Sequence, residues 1–392
     1  MAILNGGSSS DNLSGTSSDD TINGLGGADN LFGNTGVDEI YGGTGNDLID
    51  GGNEGDSLYG EDGEDTILGQ SGADYIDGGA NADEIYGGND NDIIIGDGGA
   101  DTLNGDDGQD DLYGGSGDDL MYGGDRADSF YGGAGVDSMF GGDGNDRFFV
   151  SSSGDFHDGG EGHDTMDFST ASSALFLRLF ADSGVANGSA AGDTFANIEE
   201  FIGTNYADDI TGSAGGETIR GGNGNDKIAG FSGDDIIYGN DRRDALNGDD
   251  GNDTIYGGGG GDQIRDDTGD DYYVGGTGRD SITFRFGNDQ AYGGNGRDKF
   301  DILGGSQTIE GGDARDRFVF NTVDYDTTVT DYTTGEDRYW FYGDLFDDFA
   351  DFASHTTQVG SDVVIEKNDA KVTLTNTDLL DLSGGDFVFY DY

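Results

Sequence analysis

Apolar residues recur along much of this chain at every ninth position, each flanked by polar or small residues. Between residues 6 and 149 the period is unbroken through sixteen units, from Leu13, Ile22 and Leu31 to Met139 and Phe148. Two further columns share its register. Every unit opens with glycine, from Gly6 to Gly141, and every unit has aspartate at its sixth position, from Asp11 to Asp146. Gly42-Gly-Thr-Gly-Asn-Asp-Leu-Ile-Asp50 shows the full form. The glycine-rich half predicts a tight turn, because glycine enters backbone conformations closed to other residues. The half centred on the apolar residue predicts a short strand with its middle side chain facing inward. Two units make one coil of eighteen residues, and coils stacked at about 4.8 Å would make this block about 38 Å long.

A second block runs from Gly203 to Val319 in a register of its own, through thirteen looser units. Glu217 and Gln307 replace its position-6 aspartate in two of them, and the unit 284–292 opens with Phe284 and has only Ala291 at the apolar position. One isolated unit, Gly159-Gly-Glu-Gly-His-Asp-Thr-Met-Asp167, lies between the blocks. The prediction is an all-β parallel β-roll solenoid in four parts. These are a first roll over 1–149, an isolated unit with a non-repeat spacer over 150–202, a second roll over 203–319, and a β-rich C-terminal cap over 320–392.

One inward apolar residue in nine makes a thin core, far too little to offset chain entropy unaided. Composition agrees: 32% of the chain is hydrophobic, against 45–50% in ordinary globular domains. Acidic residues number 81 against 17 Lys and Arg, a net charge of −64. That charge excludes nucleic acid as a partner and disfavours anionic membranes. No apolar run approaches the length of a membrane-spanning helix, so membrane insertion is not expected. The start, Met1-Ala-Ile-Leu-Asn5, lacks the basic and apolar regions of a cleavable signal peptide. There is no cysteine, which fits an extracellular protein.

Stacking brings position 6 of one unit over position 6 of the unit two further on, as Asp29 over Asp47. Carboxylates so placed repel each other unless a cation lies between them, and Ca²⁺ favours such oxygen ligands, with glycine-turn carbonyls completing the set. The candidate metal ligands in the first block are Asp11, Asp20, Asp29, Asp38, Asp47, Asp56, Asp65, Asp74, Asp83, Asp92, Asp101, Asp110, Asp119, Asp128, Asp137 and Asp146. Asp164 serves the isolated unit. In the second block they are Asp208, Asp226, Asp235, Asp244, Asp253, Asp262, Asp271, Asp280, Asp289, Asp298 and Asp316. One ion per stacked pair gives on the order of 25 Ca²⁺, roughly 50 positive charges, the same order as the chain's own charge.

The nonapeptide Gly-Gly-x-Gly-x-Asp-x-apolar-x resembles that of the RTX (repeats-in-toxin) family over 6–149, 159–167 and 203–319. The resemblance implies a parallel β-roll with Ca²⁺ in its turns and carries over to the position-6 aspartates one by one. The chain departs from the pattern at Glu217 and Gln307, and at Glu54, Asp90 and Arg126, which replace the glycine of position 4. Arg126 is expected to bring a cation to where a metal would sit. Gly192-Asp-Thr-Phe-Ala-Asn-Ile-Glu199 resembles the stretch that introduces a new roll in such proteins. Leu175-Phe-Leu-Arg-Leu-Phe180 alternates like a strand, and a Gly/Ser/Ala-rich loop follows it. Residues 362–366 and 371–375 read as a hairpin. The aromatic C-terminal segment, ending Asp386-Phe-Val-Phe-Tyr-Asp-Tyr392, is similar to the end of RTX proteins exported by type I secretion.

Catalytic signatures are missing: the chain has no His-Glu-x-x-His and no Gly-x-Ser-x-Gly. A repeat that begins at residue 6 leaves no room before it for an enzyme or toxin domain. His157 and His163 with Glu161 or Asp164 form a conceivable Zn²⁺ set, but His163 fills the variable fifth position of a repeat, where a solvated turn residue is expected. The expectation is a non-enzymatic, secreted Ca²⁺-binding structural protein, such as a surface-layer, matrix or filament subunit, that folds on Ca²⁺ after export. Its partners would be Ca²⁺ and either further copies of itself or a cell-surface glycan. The alternative is a Ca²⁺-dependent adhesin using the position-9 tyrosines Tyr41, Tyr59, Tyr86, Tyr113, Tyr122 and Tyr131 as a stacking surface.

Overall fold

A computed structural model describes residues 2–150, 154–180, 183–188, 192–321, 324–342 and 345–390. Met1, part of the Gly/Ser/Ala-rich loop (181, 182 and 189–191) and the terminal Asp391 and Tyr392 lie outside these residues. The chain is an all-β parallel solenoid that divides into two compact units. The first comprises 1–175 with 182–202, and the second 176–181 with 203–392. Of the four parts expected from the sequence, most of the spacer packs with the first roll, and the C-terminal segment packs with the second. The Gly192–Glu199 stretch, which directly precedes the second roll in sequence, packs with the first unit.

In the first unit successive coils pair in parallel at a register of eighteen residues, such as Ile22 with Ile40 and Leu31 with Ile49. The strands are longer than the three residues expected. Thr21–Gly26 and Leu48–Asn53 continue from the apolar segment through the first two glycine-turn positions and one residue beyond. Only positions 4 to 6 form the turn. At position 1 a side chain would collide with the next coil, a Cβ on Gly33 falling on the Gly51 carbonyl oxygen, and pairing resumes at position 2, as Asn34 with Gly52. The position-8 residues form an internal column with no exposed surface, including Ile40, Ile67, Ile94 and Phe148.

The spacer extends this stack. Phe156–Gly162 pairs with Ser138–Gly144, and Thr194–Ala196 then pairs with Phe156–Asp158. His157 falls at the core position of its coil, 1% exposed, edge-on to the Phe148 ring at 5.5 Å. His163 is exposed, so the two histidines do not converge on a metal.

In the second unit Phe176–Arg178, inside the expected strand Leu175–Phe180, pairs with Asp209–Thr211. The interior then becomes more aromatic towards the C-terminus. Phe300, Phe318 and Tyr339 stack at 5.0 and 4.8 Å between ring centres. Phe284, Ile302 and Phe320, in place of position-1 glycines, are fully buried and widen the core. Asp324–Val329 and Arg338–Tyr342 carry the parallel stacking past residue 319. The expected hairpin is present as Asp362–Lys367 antiparallel to Asp369–Leu374, and its turn is tighter than read from the sequence, with Asn368 at φ +58°. A short helix, Phe349–Ser354, starts at the Asp348 cap and seats the buried Phe352 against Phe387 at 4.5 Å.

The turns set the tightest steric limit. Gly117 has φ +144°, and a methyl group there would fall on the Gly99 carbonyl one coil earlier. Gly7 lacks a positive φ, and a Cβ there would meet only Asp11 Oδ2, at 3.7 Å. Gly117→Ala should therefore cost more than the ~1–2 kcal/mol of a left-handed non-glycine residue, whereas Gly7→Ala should be close to neutral. Thermal unfolding of the Ca²⁺-loaded variants compares them, and equal melting temperatures would contradict this steric account.

Candidate metal centre

Each repeat presents its position-6 aspartate at the end of the turn, just before the strand. There the side chain turns inward, and most of these residues are 3% exposed or less. The two oxygens of each carboxylate then meet different surroundings. Oδ1 accepts the backbone N–H of the equivalent aspartate one coil earlier. Asp29 donates to Asp47 Oδ1 at 2.7 Å, Asp47 to Asp65 at 2.7 Å, and Asp65 to Asp83 at 2.8 Å. In the second unit Asp226 donates to Asp244 and Asp280 to Asp298, both at 2.8 Å.

Oδ2 is buried without a hydrogen-bond donor in Asp29, Asp38, Asp47 and onward through Asp146, and again from Asp226 to Asp262. Another acceptor lies beside it. A Cβ built on Gly114 would be 2.5 Å from both Asp119 Oδ2 and the Gly132 carbonyl oxygen, so these two oxygens share the space beside the glycine. The same convergence recurs at Gly60 and Gly96. Burying a polar group without a partner costs roughly 1–3 kcal/mol, and more when it is charged. A column of such sites is tenable only if something electropositive sits among the oxygens. A hard cation meets that need, and the donor set of carboxylate and carbonyl oxygens suits Ca²⁺.

The first coil of each repeat block is arranged differently. Asp11 Oδ2 accepts the N–H of Gly7 at 2.7 Å, and Asp20 Oδ2 accepts both the N–H and hydroxyl of Thr16 at 2.7 and 2.8 Å. Asp208 is held likewise by Thr204, and Glu217 by Ser213. Of the aspartates expected to be ligands, Asp11, Asp20 and Asp208 thus have N–H or O–H donors where the interior coils have open oxygens. Gln307 closes its coil without charge: its amide donates to the Gly304 carbonyl at 2.6 Å and accepts from Thr327. Arg126 is exposed and takes the left-handed turn of the glycine it replaces, at φ +80°, so its side chain is outside the buried oxygen column. Glu54 and Asp90 adopt the same turn at φ +67° and +77°.

Several residues join the aspartate column that the repeat count missed. Asp155 accepts the N–H of Asp137 at 2.9 Å, Asp193 that of Asp155 at 3.0 Å, and Glu199 that of Asp164 at 2.8 Å. Asp337 accepts that of Asp316 at 3.1 Å. Asp155 was detectable, because it stands nine residues after Asp146. Insertions displace the others from the period. Asp266, at position 1 of a unit, also lies among the buried carboxylates, and with Asp253 and Asp271 it forms the cluster of metal-ligating groups found among the described residues. No histidine belongs to it.

The family model for the RTX calcium-binding nonapeptide repeat matches repeatedly over 5–156 and 202–300, more than half of the chain. The chain belongs to the RTX calcium-binding repeat family. Among curated proteins, no sequence matches it significantly. Among solved structures it is similar to a hyperactive, Ca²⁺-dependent, β-helical antifreeze protein from an Antarctic bacterium. That match has 15% identity, covers 94% of each chain and has a TM-score of 0.32. It is also similar to the extracellular lipase LipA of Serratia marcescens, at 15% identity and a TM-score of 0.16, over 77% of this chain and 45% of the lipase.

Burial leaves the metal-free carboxylates reluctant to ionise. It pushes Asp92 and Asp128 up to about 8, and Asp56, Asp65 and Asp83 up to about 7. A carboxyl whose pKa is higher folded than unfolded stabilises the fold fully below its unfolded pKa and loses that contribution as pH rises through its folded pKa. The metal-free RTX roll should accordingly be most compact near pH 4 and expand as pH approaches 8, and Ca²⁺ uptake near pH 6 should release protons. Circular dichroism in chelator across this range tests the trend, which a chain that becomes more compact with rising pH would reverse.

Individual positions are also separable. Asp65→Ala should lower Ca²⁺ stoichiometry and the stability of the neighbouring coils, whereas Gln307→Ala should leave stoichiometry unchanged. Equilibrium dialysis with ⁴⁵Ca²⁺ reads both, and equal losses would remove position 6 from the ligand set.

Proposed function

We propose that this RTX protein is a secreted, Ca²⁺-loaded structural element, a subunit of a surface layer, matrix or filament, and has no enzymatic role. The observation that carries the reading is the column of buried, donorless Oδ2 atoms facing glycine carbonyls in both units. A cation repeated at that spacing supplies the cohesion that each weakly cored roll lacks. Because formed sites scarcely exist in the unfolded chain, binding energy becomes folding energy. Extracellular Ca²⁺ modules bind at about 10⁻⁴–10⁻³ M, so the chain stays expanded at cytosolic Ca²⁺ and folds after export.

The adhesin reading depends on open tyrosine faces. Tyr113, Tyr131 and Phe149 stack on each other at 4.4 Å with interplanar angles of 6° and 4°, and Tyr41 stacks on Tyr59 at 4.8 Å. Rings so arranged spend their faces on each other, and a sugar would be left with their edges. For these rings this favours a structural role over glycan stacking.

The test uses full-length protein collected from the medium of a type I secretion host. Far-UV circular dichroism and hydrodynamic radius should show an expanded chain in chelator and a compact β-rich one in millimolar Ca²⁺, with electron microscopy showing ordered polymers. Retention in the cell would refute export, and a compact chain in chelator, or equal folding with Mg²⁺, would refute the Ca²⁺ switch. Dispersed monomers that bind a glycan array would favour adhesion.

A further inference from the structure

Three units of the second block open without glycine, at Asp266, Phe284 and Ile302, and one of them opens with a carboxylate. Asp266 occupies position 1 of the unit 266–274. In ordinary coils the oxygen beside a position-1 glycine is the carbonyl of the glycine one coil later, as Gly132 is for Gly114. Beside Gly248 that place is taken by Asp266 Oδ2, which meets Asp253 Oδ2 there. Asp271 completes the group, so that one carboxylate oxygen from each of the three residues lies within 4.8 Å of the others.

All three are buried, at 1% exposure for Asp253, 2% for Asp266 and 3% for Asp271. Their other contacts point away from a closed hydrogen-bond network. Asp253 Oδ1 accepts the N–H of Asp235 at 2.7 Å, and Asp266 Oδ1 accepts the N–H of Asp267 at 2.7 Å. Asp271 accepts the N–H of Asp253 at 2.9 Å and the hydroxyl of Tyr273 at 3.1 Å. Oδ2 of Asp253 and Oδ2 of Asp266 have no donor. Oxygens this close together need only small side-chain adjustments to share a single ion at the roughly 2.3–2.6 Å of Ca²⁺ coordination.

We propose that Asp253, Asp266 and Asp271 form a tricarboxylate cation site, distinct in composition from the repeat sites, that fills before them and prefers a trivalent ion of similar size. An ordinary repeat site has a neutral glycine carbonyl where this one has a third carboxylate. Ligand charge count is a main determinant of affinity for hard cations, so this coil of the second unit orders at the lowest Ca²⁺ concentration. The proposal rests on the Ca²⁺-binding reading above, and the experiment separates the two.

Full-length protein is titrated with Ca²⁺, and separately with Tb³⁺, by calorimetry. Wild type should show one binding event at least tenfold tighter than the remainder. Asp266→Gly, which restores the residue usual at this position, should lose that event while keeping the weaker ones. Asp266→Asn, which retains the side-chain shape, should do the same, so a folding defect in one variant is separable from a lost ligand. At substoichiometric Tb³⁺, luminescence excited through tyrosine should fall in Tyr273→Phe. An Asp266→Gly isotherm identical to wild type, or no tight event in wild type, would overturn this site alone. A chain that binds no Ca²⁺ at all would overturn the wider reading as well.

Discussion

The structure depends on burying a carboxylate every ninth residue. Each Oδ1 is used by the coil before it, which locks the coils into an eighteen-residue register. Each interior Oδ2 is turned towards a glycine carbonyl with no donor between them. The first contact aligns the stack, whereas the second opposes it unless a cation intervenes. A core of one apolar residue per repeat is too thin to overcome that opposition, so cohesion and metal binding are one property of this chain.

The means of cohesion change along each unit. At the first coil of each repeat block, where Asp11, Asp20, Asp208 and Glu217 sit, backbone N–H groups and the hydroxyls of Thr16, Thr204 and Ser213 take up the carboxylate oxygens. These ends are closed by hydrogen bonds. Late in the second unit the glycines of position 1 give way to Phe284, Ile302 and Phe320, and stacked rings supply what the thin aliphatic column does not. Gln307 and Thr327 end one carboxylate column in the same region with neutral groups. In the first unit the orphaned oxygens instead continue to its far end, at Asp164 and Asp193.

This arrangement links composition to behaviour. A net charge of −64 opposes compaction through self-repulsion, and the aspartates that carry much of it line the interior of the rolls. Protons and Ca²⁺ compete for them, because burial raises the pKa of carboxyls such as Asp92 and Asp128 in the metal-free fold. Occupancy of these sites is thereby tied to both pH and Ca²⁺.

The amino-acid sequence by itself determined the register, the core column and the aspartate column, because every coil repeats the same stacking distance and demands the same residue at the same place. It was also sufficient for the hairpin at 362–374 and the strand at 175–180. Only the tertiary structure decided where the stacking continues across breaks in the period. Asp193, Glu199 and Asp337 rejoin the column after insertions, since a loop leaving the coil does not disturb the coils above and below it. His157, a conceivable metal ligand by spacing, became a core residue because its place in the coil points inward. The distinction between satisfied and orphaned carboxylates, and the meeting of Asp266 with Asp253 and Asp271, likewise required three dimensions. They depend on which donors surround an atom one coil away, eighteen residues distant in sequence, and a nine-residue pattern does not record that.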